Sequence, residues 1–452
     1  MSQSAAPRST WSNRWAFILV TIGSSVGLGN IWKFPYMAGS QGGSAFVLVY
    51  LICVLLIGLP LLMAEISIGR RGKGNPVAAM LNVANETGNT SWWGLLGWVG
   101  MLGALLILSF YSVVSGWIVD YLFKALTGFQ VETAEAAQQS FAALLGNPYQ
   151  LALWHSVFLA FTVGVVARGV VSGIEIANKV LMPCLFLILV LLTLWSWVAG
   201  DMAAAWHFMF DFKFSAITST VVLAALGHAF FSLSLGMGAI MAYGSYLDKN
   251  TSIANTSLWV AAAGTLVGIL AGLAIFSLTF QYGLQPGSGA GLILQTLPLA
   301  FFHMPGGNLF AVFFFLLVLF AAWTSAISLL EPFVAWLTER LSIHRPVAAW
   351  STGLAVWLLG LASCLSFNVW NDHRFFGLNL FDALDYLTSR IMMPLSGLAI
   401  ALFVGWAMGR AAVADELRLK SRAFTLWFNV LRYIVPVGIT LVFLSSILGW
   451  AE

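Results

Sequence analysis

Eleven predominantly apolar runs follow one another along this chain. Short polar stretches separate them. Their rough extents are 15–38, 44–69, 92–124, 149–168, 174–199, 216–246, 255–282, 305–339, 346–367, 380–409 and 426–450. A helix crosses the hydrocarbon core of a bilayer with about 20 mostly apolar residues. Every backbone N–H and C=O in lipid must be satisfied within the structure, which leaves helices and closed barrels. The runs are far too long for barrel strands, so the pattern predicts an all-α integral membrane protein. Composition agrees. Only 8% of the residues are charged and 60% are hydrophobic, against about 25% charged in soluble domains. Cys53, Cys184 and Cys364 sit singly in apolar runs, with neither a disulfide framework nor metal spacing. The net charge of +3 is spread between apolar runs, not along one face, so it does not suggest nucleic acid.

The basic residues predict orientation, because they concentrate in cytoplasmic loops. Arg8 and Arg14 precede the first run. Arg70, Arg71 and Lys73 follow the second, and Arg168 the fourth. Lys249 follows the sixth, Arg340 and Arg345 the eighth, and Arg410, Arg418, Lys420 and Arg422 the tenth. The opposite loops hold Lys124, Lys213 and Arg374 beside acids such as Glu132, Glu135, Asp201 and Asp372. The expected arrangement is a multi-pass plasma (inner) membrane protein. Residues 1–14 form a cytosolic tail without a signal-peptide core, and the C-terminus lies outside.

Two runs carry glycine pairs that a continuous helix does not need. The first reads Ser25-Val26-Gly27-Leu28-Gly29 and the sixth Ser234-Leu235-Gly236-Met237-Gly238. Each glycine lowers helix propensity by about 1 kcal/mol. Close helix packing through small residues also accounts for one such pair. Matching interruptions five runs apart point instead to an inverted-repeat transporter. Runs 1–5 (15–199) and 6–10 (216–409) would then be the repeats, with 426–450 added. A break frees carbonyls that suit a cation, and N–H groups at a half-helix start that suit a carboxylate. No nucleophile–base–orienter set accompanies them, so an enzyme is not expected.

Three stretches carry a resemblance: WSNRW from Trp11 followed by GSSVGLGNIWKFP from Gly23, FFSLSLGMG from Phe230, and AAWTS from Ala321. They resemble the first, sixth and eighth spans of the neurotransmitter:sodium symporter family, over nearly the whole chain. The resemblance implies the LeuT-type fold, with two inverted five-helix repeats, an eleventh span, and spans 1 and 6 broken at mid-membrane. It implies sodium-coupled import of amino acids by alternating access. A proton-coupled amino-acid carrier of the same fold is the alternative. One sodium site would use Gly23, Val26, Ala321, Thr324 and Ser325. Oxygen ligands suit such a hard cation, although Thr324 and Ser325 hydroxyls can also bond back to their own helix. The substrate carboxylate would meet Leu28, Gly29 and Tyr111. Ser24, Ser25, Phe231, Ser232 and Ser234 would surround the amino group and side chain, and Ile107, Met237, Ser325 and Leu329 would line the pocket. Relatives that carry amines have aspartate where this chain has Gly27. Glycine there favours a substrate that brings its own carboxylate, and the apolar lining favours hydrophobic L-amino acids.

Charges within spans are costly and need partners. Lys33 and Asp385 match the family's outer gate, and Arg8, Trp11, Glu339, Ser245 and Tyr246 its inner gate. Glu65 is expected to brace the broken sixth span through backbone amides. The Gly173–Pro183 spacing suggests a fifth span that unwinds, or a plain proline kink. Other positions depart from the family. Where relatives have a span-seven asparagine or aspartate, eight residues before Gly272, this chain has Gly264. Gly268 replaces the acid or serine, and His228 replaces a glutamine. The other sodium site therefore retains only Ser25, Asn30 and Ser232. His228 is either a neutral hydrogen-bond donor or an imidazolium in place of the missing ion. Arg390 pairs with Asp385 or Asp382, or packs at the membrane edge. The expected ions are one or two sodium, without a chloride requirement. Beyond the substrate and the lipid bilayer, no obligate protein partner is evident.

Overall fold

The computed structural model describes residues 10–129, 131–284 and 291–448. Arg8 of the expected inner gate lies outside them. Apart from one isolated bridge between Phe375 and Leu378, their regular structure is helical. Among the described residues, nine helices are long and apolar enough to cross a membrane. They are Ser44–Gly72 (span 2), Ser91–Thr127 (span 3), Pro148–Ala167 (span 4), Val170–Ala199 (span 5), Ile253–Gln281 (span 7), Gly307–Arg340 (span 8), Arg345–Leu365 (span 9), Leu380–Ala407 (span 10) and Ser421–Leu448 (span 11). Span 1 is two pieces, Arg14–Ser25 (1a) and Gly29–Ser40 (1b), bent by 53° at the break. Span 6 is also two pieces, Ser219–Ser232 (6a) and Ala239–Gly244 (6b), each too short to cross alone. The eleven runs thus become eleven spans, with the two breaks where the glycine pairs lie.

The breaks have different causes. In span 6, Ser234, Gly236 and Gly238 all have positive φ, at 53°, 77° and 72°. A non-glycine residue pays roughly 1–2 kcal/mol there, so Gly236 and Gly238 take the left-handed turns most cheaply. In span 1 the chain leaves the helix at Val26, in extended conformation (φ −86°, ψ 96°). Gly27 and Gly29 are needed for space instead. A Cβ on Gly27 would stand 2.5 Å from Ser325 Oγ, and one on Gly29 would stand 2.8 Å from the Phe231 ring.

Prolines set a further local feature. Five of the wide helical turns among the described residues, Gly29–Lys33, Val54–Gly58, Leu292–Thr296, Tyr386–Met392 and Val430–Ile434, share a cause. Each ends two residues before a proline: Pro35, Pro60, Pro298, Pro394 and Pro436. Proline donates no N–H, and its ring collides with the carbonyl four residues back. Widening the preceding turn to a π-turn relieves that clash without ending the helix.

Spans 3 and 8 lie along one another, and span 1 packs against spans 5, 7 and 8. Both breaks are therefore buried in the middle of the molecule. At one end of the bundle, Arg70 at the end of span 2 is 2% exposed. Its Nε meets Glu416 at 2.7 Å, on the helix that precedes span 11. Arg71 beside it meets Glu86 and Asp415. The basic loop residues used above for orientation thus also tie loops together.

Candidate functional site

The break in span 1 places several carbonyls where no helix can use them. Ser325 on span 8 reaches that spot. Its Oγ lies 3.3 Å from Gly23 O, 3.3 Å from Ser24 O and 3.4 Å from Val26 O. A hydroxyl has one proton, so it serves one of three carbonyls at a time. Oxygens gathered at this spacing suit a cation. An ion held at about 2.4 Å, the calcium range and close to that for sodium, sets neighbouring ligands about 3.4 Å apart. Thr324 Oγ1 lies 3.2 Å from Ala321 O and 3.1 Å from Phe320 O, so its hydroxyl is bonded back along span 8. Gly23, Val26, Ala321, Thr324 and Ser325 thus lie together where spans 1 and 8 face each other.

Next to this cluster is a small cavity of ≈30 Å³. It is lined by Ser24, Ser25, Gly27, Leu28, Gly29, Asn30, Ile107, Tyr111, Phe231, Ser234, Met237, Ser325 and Leu329. All the residues expected at the substrate are there except Ser232. Its hydroxyl turns away, to Tyr50 Oη at 3.1 Å and Ala229 O. The Leu28 N–H donates to Tyr111 Oη at 3.3 Å, so a backbone donor and a phenol face each other at one end of the cavity. A carboxylate accepts from both kinds of group. Ser234 donates to Ser24 O at 2.8 Å, linking the two breaks across the cavity. The opposite wall is apolar, from Ile107, Phe231, Met237 and Leu329.

The residues expected at a second sodium site are set more sparsely. Asn30 Nδ2 donates to Gly264 O at 2.9 Å, and its Oδ1 is buried without a hydrogen-bond partner. Ser25 bonds Leu233 O at 3.4 Å. Gly264 offers this region its carbonyl, and Asn30 takes it. His228 is 2% exposed, and neither ring nitrogen has a hydrogen-bond partner. The rings of Tyr50, Phe34 and Phe46 surround it at 5.3, 5.8 and 5.9 Å. It does not take up the hydrogen bond expected of a glutamine substitute.

Glu65 is fully buried and accepts from the Gly236 N–H at 3.2 Å, inside the break of span 6. Lys33 and Asp385 line one larger cavity of ≈360 Å³, but no ion pair joins them in this conformation. Lys33 Nζ lies 4.5 Å from the centre of the Phe231 ring, and Ser389 donates to Asp385. Arg390 lines the same cavity with its guanidinium 5.2 Å from the Tyr386 ring.

At the other end, Trp11 is buried against span 6b. Its Nε1 donates to Tyr243 O at 3.1 Å, and its N–H to Tyr246 O. Ser245 follows on the same turn and bonds Ala242 O. Glu339 accepts from Asn75 N and Nδ2 at 2.8 and 2.9 Å. Two groups here were missed from sequence. Glu331 is fully buried in span 8, ion-paired with Arg345 and hydrogen-bonded by Tyr246 Oη. Glu175 at the start of span 5 takes Lys179 at 2.6 Å and the Ser12 N–H. An acid inside an apolar run was the available signal for Glu331.

A family model described as the sodium:neurotransmitter symporter family matches residues 8–141 and 138–451. A sodium-dependent transporter of Bacillus subtilis, YhdH, is 39% identical over 442 residues, 97% of each chain. A sodium-dependent transporter of Haemophilus influenzae is 32% identical, over 99% of this chain and 100% of that one. Among solved structures, the crystal structure of MhsT in complex with L-phenylalanine matches with a TM-score of 0.89 at 40% identity. That match covers 97% of this chain and 100% of the other.

Proposed function

The chain belongs to the sodium:neurotransmitter symporter family, and from that premise we propose that it imports hydrophobic L-amino acids coupled to sodium, by alternating access. It is a sodium-dependent transporter of the LeuT-type fold, not an enzyme. The amino-acid substrate, the coupling and the ion count are the proposal. One observation carries it above the others: Ser325 Oγ sits within 3.3–3.4 Å of three carbonyls at the span 1 break. That oxygen cluster adjoins the Leu28 N–H and the Tyr111 hydroxyl. A cation and a carboxylate are then neighbours, so each favours binding of the other and the two fluxes are linked. Gly27 leaves no side-chain carboxylate in the cavity, which supports a zwitterionic substrate over an amine. The solved relative bound to L-phenylalanine supports a hydrophobic side chain against Ile107, Phe231, Met237 and Leu329.

In the working cycle Ser325, Thr324 and the carbonyls of Gly23, Val26 and Ala321 would hold one sodium. Leu28, Gly29 and Tyr111 would hold the carboxylate. Lys33 and Asp385 would close above, while Trp11, Ser245, Tyr246 and Glu339 close below. The N-terminus would face the cytoplasm and the C-terminus the outside, in the inner membrane. Residues 1–14, 15–199, 216–409 and 426–450 would be the tail, the two repeats and the added span. Chloride would not be required.

The test is displacement of a bound radiolabelled hydrophobic amino acid by each of the twenty amino acids, in sodium without chloride. Large and medium apolar L-amino acids should compete best. A preference for glutamate, lysine or a decarboxylated amine contradicts the reading.

A further inference from the structure

Span 5 brings a third wall to the oxygen cluster. Asn178 lies on it between the wide turn Val170–Glu175 and Pro183, and is 1% exposed. Its Nδ2 donates to Ile174 O at 2.9 Å. A carbonyl oxygen only accepts, so this contact fixes which end of the amide faces its own helix. Oδ1 therefore points away from span 5, buried and without a hydrogen-bond partner. Buried amide oxygens are seldom left so without water, an ion or a ligand to satisfy them.

Gly23 shows where that oxygen points. A Cβ on Gly23 would stand 1.9 Å from Asn178 Oδ1 and 3.2 Å from Thr324 Cβ. Asn178 thus occupies the space a side chain at position 23 would fill. It stands beside the residue whose carbonyl meets Ser325, and opposite Thr324. Spans 1, 5 and 8 converge on one point, and each presents oxygen to it.

We propose that Asn178 Oδ1 is a ligand, direct or through one water, of the sodium held between spans 1 and 8, so that the site has three walls. This rests on the sodium site proposed above and extends it to a span that site did not include. The consequence is mechanical. Bound sodium would hold span 5 against spans 1 and 8, and withdrawal of span 5 would remove a ligand. Glu175, at the start of the same span, is tied to Ser12 just ahead of span 1a. Release of the ion and movement of that end of the molecule would then be one event.

The experiment measures the sodium concentration that half-saturates amino-acid binding to purified protein, and the thermal shift that sodium alone produces. Asn178→Leu keeps the volume and removes the oxygen. It should raise half-saturating sodium about tenfold, leave amino-acid affinity at saturating sodium unchanged, and shrink the sodium thermal shift. Asn178→Asp keeps an oxygen and adds charge, so sodium affinity should stay at or above that of the parent. The double variant Thr324→Ala with Ser325→Ala runs in parallel. If it loses its sodium response while Asn178→Leu stays within twofold of the parent, the role of Asn178 is overturned and the sodium site stands. If Asn178→Asp is weakened as much as Asn178→Leu, Asn178 only packs, and the proposal also fails. If neither Asn178→Leu nor the double variant changes the sodium response, the sodium site itself is wrong.

Discussion

Two asparagines flank the break in span 1, and they are set alike in unlike surroundings. Asn178 on span 5 and Asn30 on span 1b each spend Nδ2 on a helix carbonyl, Ile174 O or Gly264 O, and each leave Oδ1 buried without a partner. Around Asn178 lie the Ser325 hydroxyl, the Thr324 side chain and the freed carbonyls of span 1. Around Asn30 the hydroxyls are already committed, Ser25 to Leu233 O and Ser232 to Tyr50 and Ala229. Span 7 contributes the Gly264 carbonyl to that network. One region collects oxygens beyond what hydrogen bonding can satisfy, and the other has used most of its oxygens up. On the proposed function, this difference makes the Ser325 region the one that carries the coupling ion.

The largest expected effect comes from emptying the richer region. Thr324→Ala with Ser325→Ala removes two contacts to a charge, each worth about 1.5 kcal/mol or more. Together they make about 3 kcal/mol, or about a hundredfold in sodium affinity. Sodium titration of amino-acid binding checks this, and an unchanged midpoint in folded protein breaks the comparison. The next effect sits between the regions. Gly27→Ala places a methyl 2.5 Å from Ser325 Oγ and 3.1 Å from Tyr111 Oη. Overpacking costs about 1–3 kcal/mol, so amino-acid affinity should fall between about fivefold and about 150-fold. Binding as tight as the parent's would show that Ser325 and Tyr111 move freely. The smallest effect refills the poorer region. A Cβ on Gly264 meets Asn30 Nδ2 at 3.3 Å and Ser232 O at 3.9 Å, so a side chain fits with a small shift. Gly264→Asn with His228→Gln should turn a first-order sodium dependence toward second order. A second-order parent reverses the reading of that region.

Much of this arrangement was legible in the sequence because it rests on period and composition. Apolar run length set the spans, and the glycine pairs set the breaks. The chemistry behind the two pairs was not legible. Gly236 and Gly238 serve left-handed backbone, while Gly27 and Gly29 serve close approach, and the letters are the same. Ser232 reads like its neighbours but is captured by Tyr50 across 182 residues of sequence. Asn178 was passed over because an asparagine in an apolar span announces no partner until Gly23 and Thr324 are placed beside it. Glu331 and Arg345 were separable from sequence only as a costly in-span acid and a loop cation. Their pairing needed spans 8 and 9 brought together. Lys33 and Asp385 were expected as a pair, and the distance between gate residues depends on conformation, which sequence does not encode.

The most direct test of the central claim is concentrative uptake of a radiolabelled hydrophobic L-amino acid by the purified protein in proteoliposomes. An inward sodium gradient is imposed with equal pH on both sides. The account predicts accumulation above the external concentration, lost when sodium is equalised and lost in the Thr324→Ala, Ser325→Ala variant. Accumulation driven by a proton gradient in sodium-free medium, with no response to sodium, would contradict it.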